Sequence, residues 1–592
     1  MRGFLSILFA AIAGAGAAQQ AADAVAPEAA GAGSFVGLPA GIAAALEAKE
    51  AGEPVVATDW MVAAANPHAV KAGADVLAAG GTAADALVAV QVVLGLVEPQ
   101  SSGLGGGAFL VWYDAASGAV TTLDGRETAP LAATPTLFQD ENGEPLKFFD
   151  AVVGGRSVGT PGTPALLAEV HARWGNQDWA SLLQPGIDLA EAGFTVSPRL
   201  AALVEGDQDR LISSGVTASY FMPDAEVIQA GNTLKNPAYA ETLRAFARDG
   251  AGVFYGGQIG RDIVATVQGA LGNPGVLSEV DMAIYRVKER PAVCAPYRGY
   301  EVCGMGPPSS GAVAVGQILM GLEPYDLSAG PQDAQVRRLI GDAGRLAFAD
   351  RGRYLADSDY VPVPVTGLLE PSYMSERASA LDGEMALEEV TAGNPTFDHA
   401  LLLADDESIE FPSTSHISIV DAAGNVASMT TTIENAFGSR LMVGGFLLNN
   451  ELTDFSFRTH RDGVPIANRL EPGKRPRSSM APTIVLKDGK PVLAVGSPGG
   501  SRIIGYVAQT IIGVIDWGLD VQQAVSVPHA VNRFGAYDLE EETLAADLQD
   551  QLVALGYEVN TRALTSGLHV IAIGDDLRGG ADPRREGIAF GQ

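Results

Sequence analysis

The sequence is short of cysteine, of clustered histidine, of positive charge and of long apolar runs. Each shortage closes a class of function. Two cysteines in 592 residues exclude a disulfide-dense scaffold and a four-cysteine zinc site. The seven histidines, His68, His171, His399, His416, His460, His529 and His569, are far apart, and no H-E-x-x-H occurs. No metal or other cofactor is therefore expected. Lysine and arginine number 38 against 70 aspartates and glutamates, a formal charge of −32. Such an acidic chain repels phosphate backbones, so nucleic acid is not an expected partner. No apolar stretch is long enough for a stable membrane span.

What is present begins with MRGFLSILFAAIAGAGAAQQ. A basic Arg2, an apolar run from Phe4 to Ala13 and small residues at Ala15-Gly16-Ala17-Ala18 predict an export signal over 1–18; a buried helix is the alternative. The Ala/Gly/Pro-rich stretch 19–55 reads as a mobile leader. Export, to a periplasm or the medium, suits the cysteines in VCAPYRGYEVC. If Arg298-Gly299 turns a two-residue hairpin, Cys294 faces Cys303 as a non-hydrogen-bonded pair, where side chains approach most closely. That predicts a cross-strand disulfide, with two buried thiols as the alternative.

Periodicity divides the rest. NPHAVKAGADVLAAGG and TAADALVAVQVVLGLV read as two helices split by Gly80-Gly81, and SSGLGGGAFLVWYD and AVTTLDGRETAP as a hairpin. From about Pro161 to Leu402 the chain reads as mostly helical. After Pro412 it turns to strands: HISIVD and VASMTTTI form one hairpin, and PTIVLK and KPVLAVG another, turned by Asp488-Gly489. SPGGSR then leads into an apolar helix. Without regular βαβ alternation, the expected class is α+β, sheets covered by helices.

Three motifs compete for the chemistry. GLGGGA, Gly103 to Ala108, matches a loose dinucleotide pattern but runs into a strand where a helix is needed. GRSVG, Gly155 to Gly159, offers Ser157 as a nucleophile, but Pro161 and Pro164 delay the helix that a nucleophile elbow requires. SPGGSR sets two glycines between a strand and a helix N-terminus, an arrangement suited to an oxyanion. Arg126, the acids Glu451 and Asp454, and the hydroxyls Ser478 and Ser479 could together hold a zwitterion.

In chain order, SSGLGGGAF, DGRETAP, GTPGTPALL, PPSSGA, TSHISIVD, LLNNELTDFS, RPRSSMAPTIV and GSPGGSRI are similar to landmarks of the gamma-glutamyltransferase (gamma-glutamyl transpeptidase) family of N-terminal-nucleophile hydrolases. The resemblance runs from about Val56 to Ile588. It implies a four-layer αββα sandwich and a precursor that cuts itself between Ser413 and Thr414. A large fragment, 56–413, and a small catalytic one, 414–592, would stay together as a heterodimer. Thr414 matches the nucleophile, whose base is its own α-amino group once freed. Thr432 matches a hydroxyl on the nucleophile, and Gly499 and Gly500 an oxyanion hole. Arg126, Ser478 and Ser479 match groups for a substrate α-carboxylate; Glu451 and Asp454 match groups for its α-ammonium. His416, beside the nucleophile, is a landmark only.

Two features depart from the pattern. Glu434 stands where many members have asparagine; it could meet the ammonium or repel the carboxylate. The stretch between Asp454 and Ser478 is shorter than in members with a lid, which would let water rival other acceptors. The resemblance implies transfer of a γ-glutamyl group from glutathione or related donors to water, amino acids or peptides. The alternatives are an acylase for another amide, such as glutaryl β-lactams, and an exported binding protein without catalysis.

Overall fold

The strand sequences MVAA, AFLVW, SHISIV and VLAVG put apolar or small residues on both faces, and such strands need cover on both sides. The fold supplies it with two seven-stranded sheets. The computed structural model describes residue 35 and residues 37–592 except 407 and 409; the export signal expected over 1–18 lies outside the described residues.

The first sheet runs in the order Ile588–Gly591, Met61–Ala64, Ser415–Val420, Val426–Thr432, Gly107–Asp114, Ala119–Gly125 and Lys288–Arg290. The second runs Val55–Ala57, Leu577–Ala581, His569–Ile573, Lys490–Gly496, Thr483–Lys487, Tyr300–Gly304 and Val293–Tyr297. Neighbours within both are antiparallel. Alternate residues pack between the sheets, among them Met61, Val111, Val420, Ile484, Ala494 and Ile571. The opposite faces meet helices: Pro67–Ala78 and Ala83–Val97 on the first sheet, Gly311–Leu322 and Ile503–Ile515 on the second. The result is the four-layer αββα sandwich, with strands from both sides of residue 413 interleaved in each sheet.

Local signals account for the boundaries. Gly80-Gly81 separates the helices Pro67–Ala78 and Ala83–Val97, and Thr82 starts the latter with a capping box to Asp85. The Val293–Gly304 hairpin pairs Tyr297 with Tyr300 and Cys294 with Cys303, and the two cysteines are disulfide-bonded. The stretch 19–55, expected as a mobile leader, is ordered in its last third. Ala40–Glu50 is a helix that buries Ile42, Ala45 and Leu46 and lies against Phe590 of the last strand. Lys49 donates to the Gly587 carbonyl at 2.8 Å. The Ala-rich composition hid these few apolar contacts.

Candidate active site

The hairpin register creates the site. Ser415 pairs with Thr431, so Thr414, one residue before the strand, sits beside Thr432 at the end of its partner. The Thr414 hydroxyl contacts the Ser413 carbonyl oxygen and lies 3.2 Å from Thr432 Oγ1. Thr432 Oγ1 donates to that same carbonyl at 3.0 Å and accepts the Glu434 N–H at 2.9 Å. On the far side, Arg585 Nη1 donates to the Thr414 carbonyl at 3.1 Å. Thr414, the bond before it and a hydrogen-bond donor to that bond thus form one cluster, buried throughout.

Thr432 is held by the glycine-rich loop that resembled a dinucleotide motif. An added Cβ at Gly106 would lie 1.9 Å from the Thr432 carbonyl oxygen, and one at Gly105 2.0 Å from that of Leu447. The loop is glycine-rich so that backbone can touch backbone. Ser157 is equally structural: its hydroxyl is buried and donates to the Val152 carbonyl at 2.6 Å.

One small cavity is lined by Arg126, Thr414, Thr432, Glu434, Glu451, Asp454, Ser478 and Gly500, together with Glu410, Phe411 and Ser413. Gly499 lines the neighbouring cavity with Ser413 and Arg585. Gly499 and Gly500 take φ of 137° and 57°, a path that favours glycine. Ser479 lies just behind, accepting from Arg351 Nη2 at 2.9 Å. Arg126, Ser413, Thr414, Thr432, Glu434, Glu451, Asp454, Ser478, Ser479, Gly499 and Gly500 therefore fall in one region, while the Cys294–Cys303 pair lies on its own hairpin.

The charges are concentrated. Arg126 is buried and pairs with Glu451, and with Asp454 at 2.5 Å. It also donates to the carbonyls of Pro476 at 3.2 Å and Arg477 at 3.0 Å. Burial opposes its charge, but Glu451, Asp454 and Glu127 outweigh burial and raise its pKa. Burial, partly offset by Arg126, holds the carboxyls of Glu451 and Asp454 well above the usual range. Burial and Asp454 do the same to Glu434, which accepts from Asn450 Nδ2 and has a second oxygen without a hydrogen bond among the described residues. These acids outnumber the cation they surround, so an arriving ammonium would find carboxylates ready to ionise against it.

His416 is not a base here. Its ring is buried between Thr430 Oγ1 at 2.9 Å and Ser418 Oγ at 3.0 Å, and burial, then His569, lowers its pKa. Sequence reasoning missed Glu127, Arg351 and Arg585. Glu127 adjoins Arg126 in GRETAP and was within reach. Arg351 sits on a charged helix that reads as solvent-facing, and Arg585 is distant in sequence. Among the described residues no group of histidine, cysteine and acidic side chains could hold a metal, and no helix is long and apolar enough to cross a membrane.

Comparison with known proteins agrees with this arrangement. Residues 69–592 match the family described as Gamma-glutamyltranspeptidase. The "Glutathione hydrolase proenzyme" of Bacillus subtilis (strain 168) is 37% identical over 551 residues, 90% of this chain and 92% of the relative. The "Acylase ACY 1 proenzyme" of Pseudomonas sp. (strain SE83) is 35% identical, covering 90% and 94%. Among solved structures, cephalosporin acylase from Bacillus halodurans superposes with a TM-score of 0.80 at 27% identity, covering 91% of this chain and 97% of that one. With the Thr414–Thr432 cluster, the glycine turn and the charged pocket joined in one αββα sandwich, and a match that spans most of its length, the chain belongs to the gamma-glutamyltranspeptidase family.

Proposed function

We propose that the protein is a self-processing gamma-glutamyltransferase and glutathione hydrolase. The observation that carries this is the Thr414 hydroxyl on the Ser413 carbonyl, with Thr432 donating to the same oxygen, inside a pocket of paired opposite charges. Thr414 Oγ attacks the Ser413 carbonyl carbon, and the C–N bond breaks as the nitrogen takes up a proton. The ester so formed is hydrolysed by water, leaving a Ser413 carboxylate and a Thr414 α-amine. That amine is the base for the second task, since its ordinary pKa lies near neutrality.

In the second task a γ-glutamyl amide is held by its α-ammonium and α-carboxylate. Glu451 and Asp454 serve the first, with Glu434 beside them; Arg126, Ser478 and Ser479 serve the second. Thr414 Oγ displaces the amine and carries the acyl group, with N–H groups at Gly499-Gly500 facing the oxyanion. Water, an amino acid or a peptide then takes the acyl group. Holding the charged end fixes the distant amide over the hydroxyl, which is catalysis by orientation. The interleaved strands support two fragments that remain one body after cutting, and the disulfide supports an exported setting.

The acylase relative and the acylase structure keep a second reading in view, a glutaryl amide donor. The acid-rich pocket favours the donor with an ammonium. A denaturing gel should show two bands, the smaller beginning at Thr414, and Thr414→Ala should leave one uncut chain. The γ-glutamyl anilide should be cleaved faster than the glutaryl anilide. Equal rates on the two would remove the case for ammonium recognition, and a wild type that stays whole would leave the nucleophile without its base.

A further inference from the structure

The segment before the scissile bond is acidic, and its acids meet arginines. Asp405 pairs with Arg353 at 2.7 and 3.0 Å, Asp406 with Arg477 at 3.0 Å, and Glu410 with Arg351. The Arg353 pair is partly exposed and of the kind that contributes little. The Arg351 pair is buried, its side chains 1% and 8% exposed. Arg351 also donates from Nε to Ser310 Oγ at 2.8 Å and from Nη2 to Ser479 Oγ at 2.9 Å. Two neutral hydroxyls and one carboxylate thus converge on one face of a buried guanidinium.

Glu410 faces the same cavity as Thr414, Thr432 and Ser478. Its carbonyl accepts the Ser501 N–H at 3.2 Å, and an added Cβ on Gly500 would lie 2.4 Å from that oxygen. The residue therefore lies in the pocket as a ligand lies, with its acid on a cation and its main chain on the glycine turn. Among the described residues no helix or strand intervenes between Asp382 and Ser415. Cutting after Ser413 gives this stretch a free end three residues from Glu410. If Glu410 then withdraws, it strips Arg351 of its carboxylate, a state a buried cation tolerates poorly.

We propose that Arg351, backed by Ser310 and Ser479, is a carboxylate seat of the substrate pocket, filled by Glu410 before the cut and by the donor's α-carboxylate after it. The proposal rests on the reading that the chain is cut before Thr414 and takes γ-glutamyl donors. Arg126 alone is ill suited to be the sole seat, since Glu451, Asp454 and two carbonyls already engage it. The two guanidiniums reach the same short stretch, Arg126 at the Pro476 and Arg477 carbonyls and Arg351 at the Ser479 hydroxyl. A zwitterion can therefore lie with its ammonium on the Glu451 side and its carboxylate on the Arg351 side. Burial, then Arg477, depresses Arg351 to about 10 even with Glu410 and Asp406 nearby, as fits a seat short of negative charge.

Two measurements test this. On the cut wild-type enzyme, the synthetic peptide Glu-Phe-Pro-Ser should compete with γ-glutamyl anilide, and Gln-Phe-Pro-Ser should bind about 10- to 100-fold more weakly, the scale of one hydrogen bond to a charged group. In Arg351→Gln, KM for γ-glutamyl anilide should rise by a similar ~10- to 100-fold with kcat little changed, while KM for 4-aminobutyryl anilide, which lacks the α-carboxylate, should hold. Equal inhibition by the two peptides, or an equal rise on both anilides, overturns the seat while leaving the γ-glutamyl reading intact. If Arg351→Gln fails to fold or to cut, the peptide comparison on the wild type decides. A wild type that stays whole, or ignores γ-glutamyl anilide, overturns the underlying reading instead.

Discussion

Replacing Thr432 by valine isolates one hydroxyl. Thr432 Oγ1 accepts the Glu434 N–H at 2.9 Å and donates to the Ser413 carbonyl at 3.0 Å. Its proton is therefore committed to the atom that, in the proposed self-cleavage, becomes an oxyanion when Thr414 attacks. The Thr414 hydroxyl also touches that oxygen, but as the attacking group it cannot serve as donor in the same step. Valine keeps the branching and nearly the volume, and removes only the hydroxyl, which is both the donor to Ser413 and the acceptor for Glu434. Losing one such donor costs on the order of 2.7–4 kcal/mol, or ~10²–10³ in rate. The Glu434 N–H also loses its acceptor in a buried place, a further stability cost of about 1–3 kcal/mol. Thr432→Ser keeps the hydroxyl and serves as the control. The assay follows uncut precursor into two bands over time, with intact mass identifying the ends. A Thr432→Val precursor that cuts within about threefold of the wild type, under ~1 kcal/mol in barrier, would falsify the assignment of that hydroxyl.

Gly106→Ala should displace Thr432 through a contact of 1.9 Å and slow cutting on the order of 10²-fold, whereas Gly206→Ala, on an exposed helix position with open space around it, should not; matching rates in the two would refute the backbone-contact argument. Burial pushes Glu127 up from its ordinary 4.5 to about 8, with Arg126 opposing. The folded chain then holds a proton that the unfolded chain releases, so this group erodes stability as pH rises from about 4.5 through about 8. Glu127→Gln should therefore raise the melting temperature, relative to wild type, more at pH 8 than at pH 5, and a pH-independent difference would contradict this. The Cys294–Cys303 bridge spans a sequence separation of 9, for which loop closure contributes about 2–3 kcal/mol. The double serine variant should lose activity at a lower temperature, and an unchanged inactivation temperature would show the bridge to be dispensable.

Much of this was legible in the chain because it is local. The two hairpins after Pro412, the helix pair split at Gly80-Gly81 and the Cys294/Cys303 facing all follow from period, turn residues and register. Thr432 and Thr414 were placed together by resemblance, and the hairpin register supplies the physical cause. The leader was misjudged beyond Pro39, because an Ala-rich segment carries little periodic signal and its helix depends on contacts with the far end of the chain. Arg351 and Arg585 were invisible for a related reason. A charged side chain reads as solvent-facing, and only the fold shows it buried against a partner far along the chain, as Arg351 is against Ser479 and Arg585 against Thr414.

The sequence by itself determined the hairpins with their registers, the helix pair split at Gly80-Gly81 and the short motifs, since each depends on a few neighbouring residues. Tertiary structure decided how the pocket's charges pair and which further ones join them. Arg126 meets Glu451 and Asp454 across more than 300 positions, and Glu410 meets Arg351 from a stretch with no periodic signal of its own. Coulomb energy depends on distance and burial, and neither is written along the chain. The glycine-rich loop at Gly103–Ala108 makes the same point. Its composition suggested a ligand, and the fold shows that its glycines let one backbone touch another, holding Thr432 in place beside Thr414.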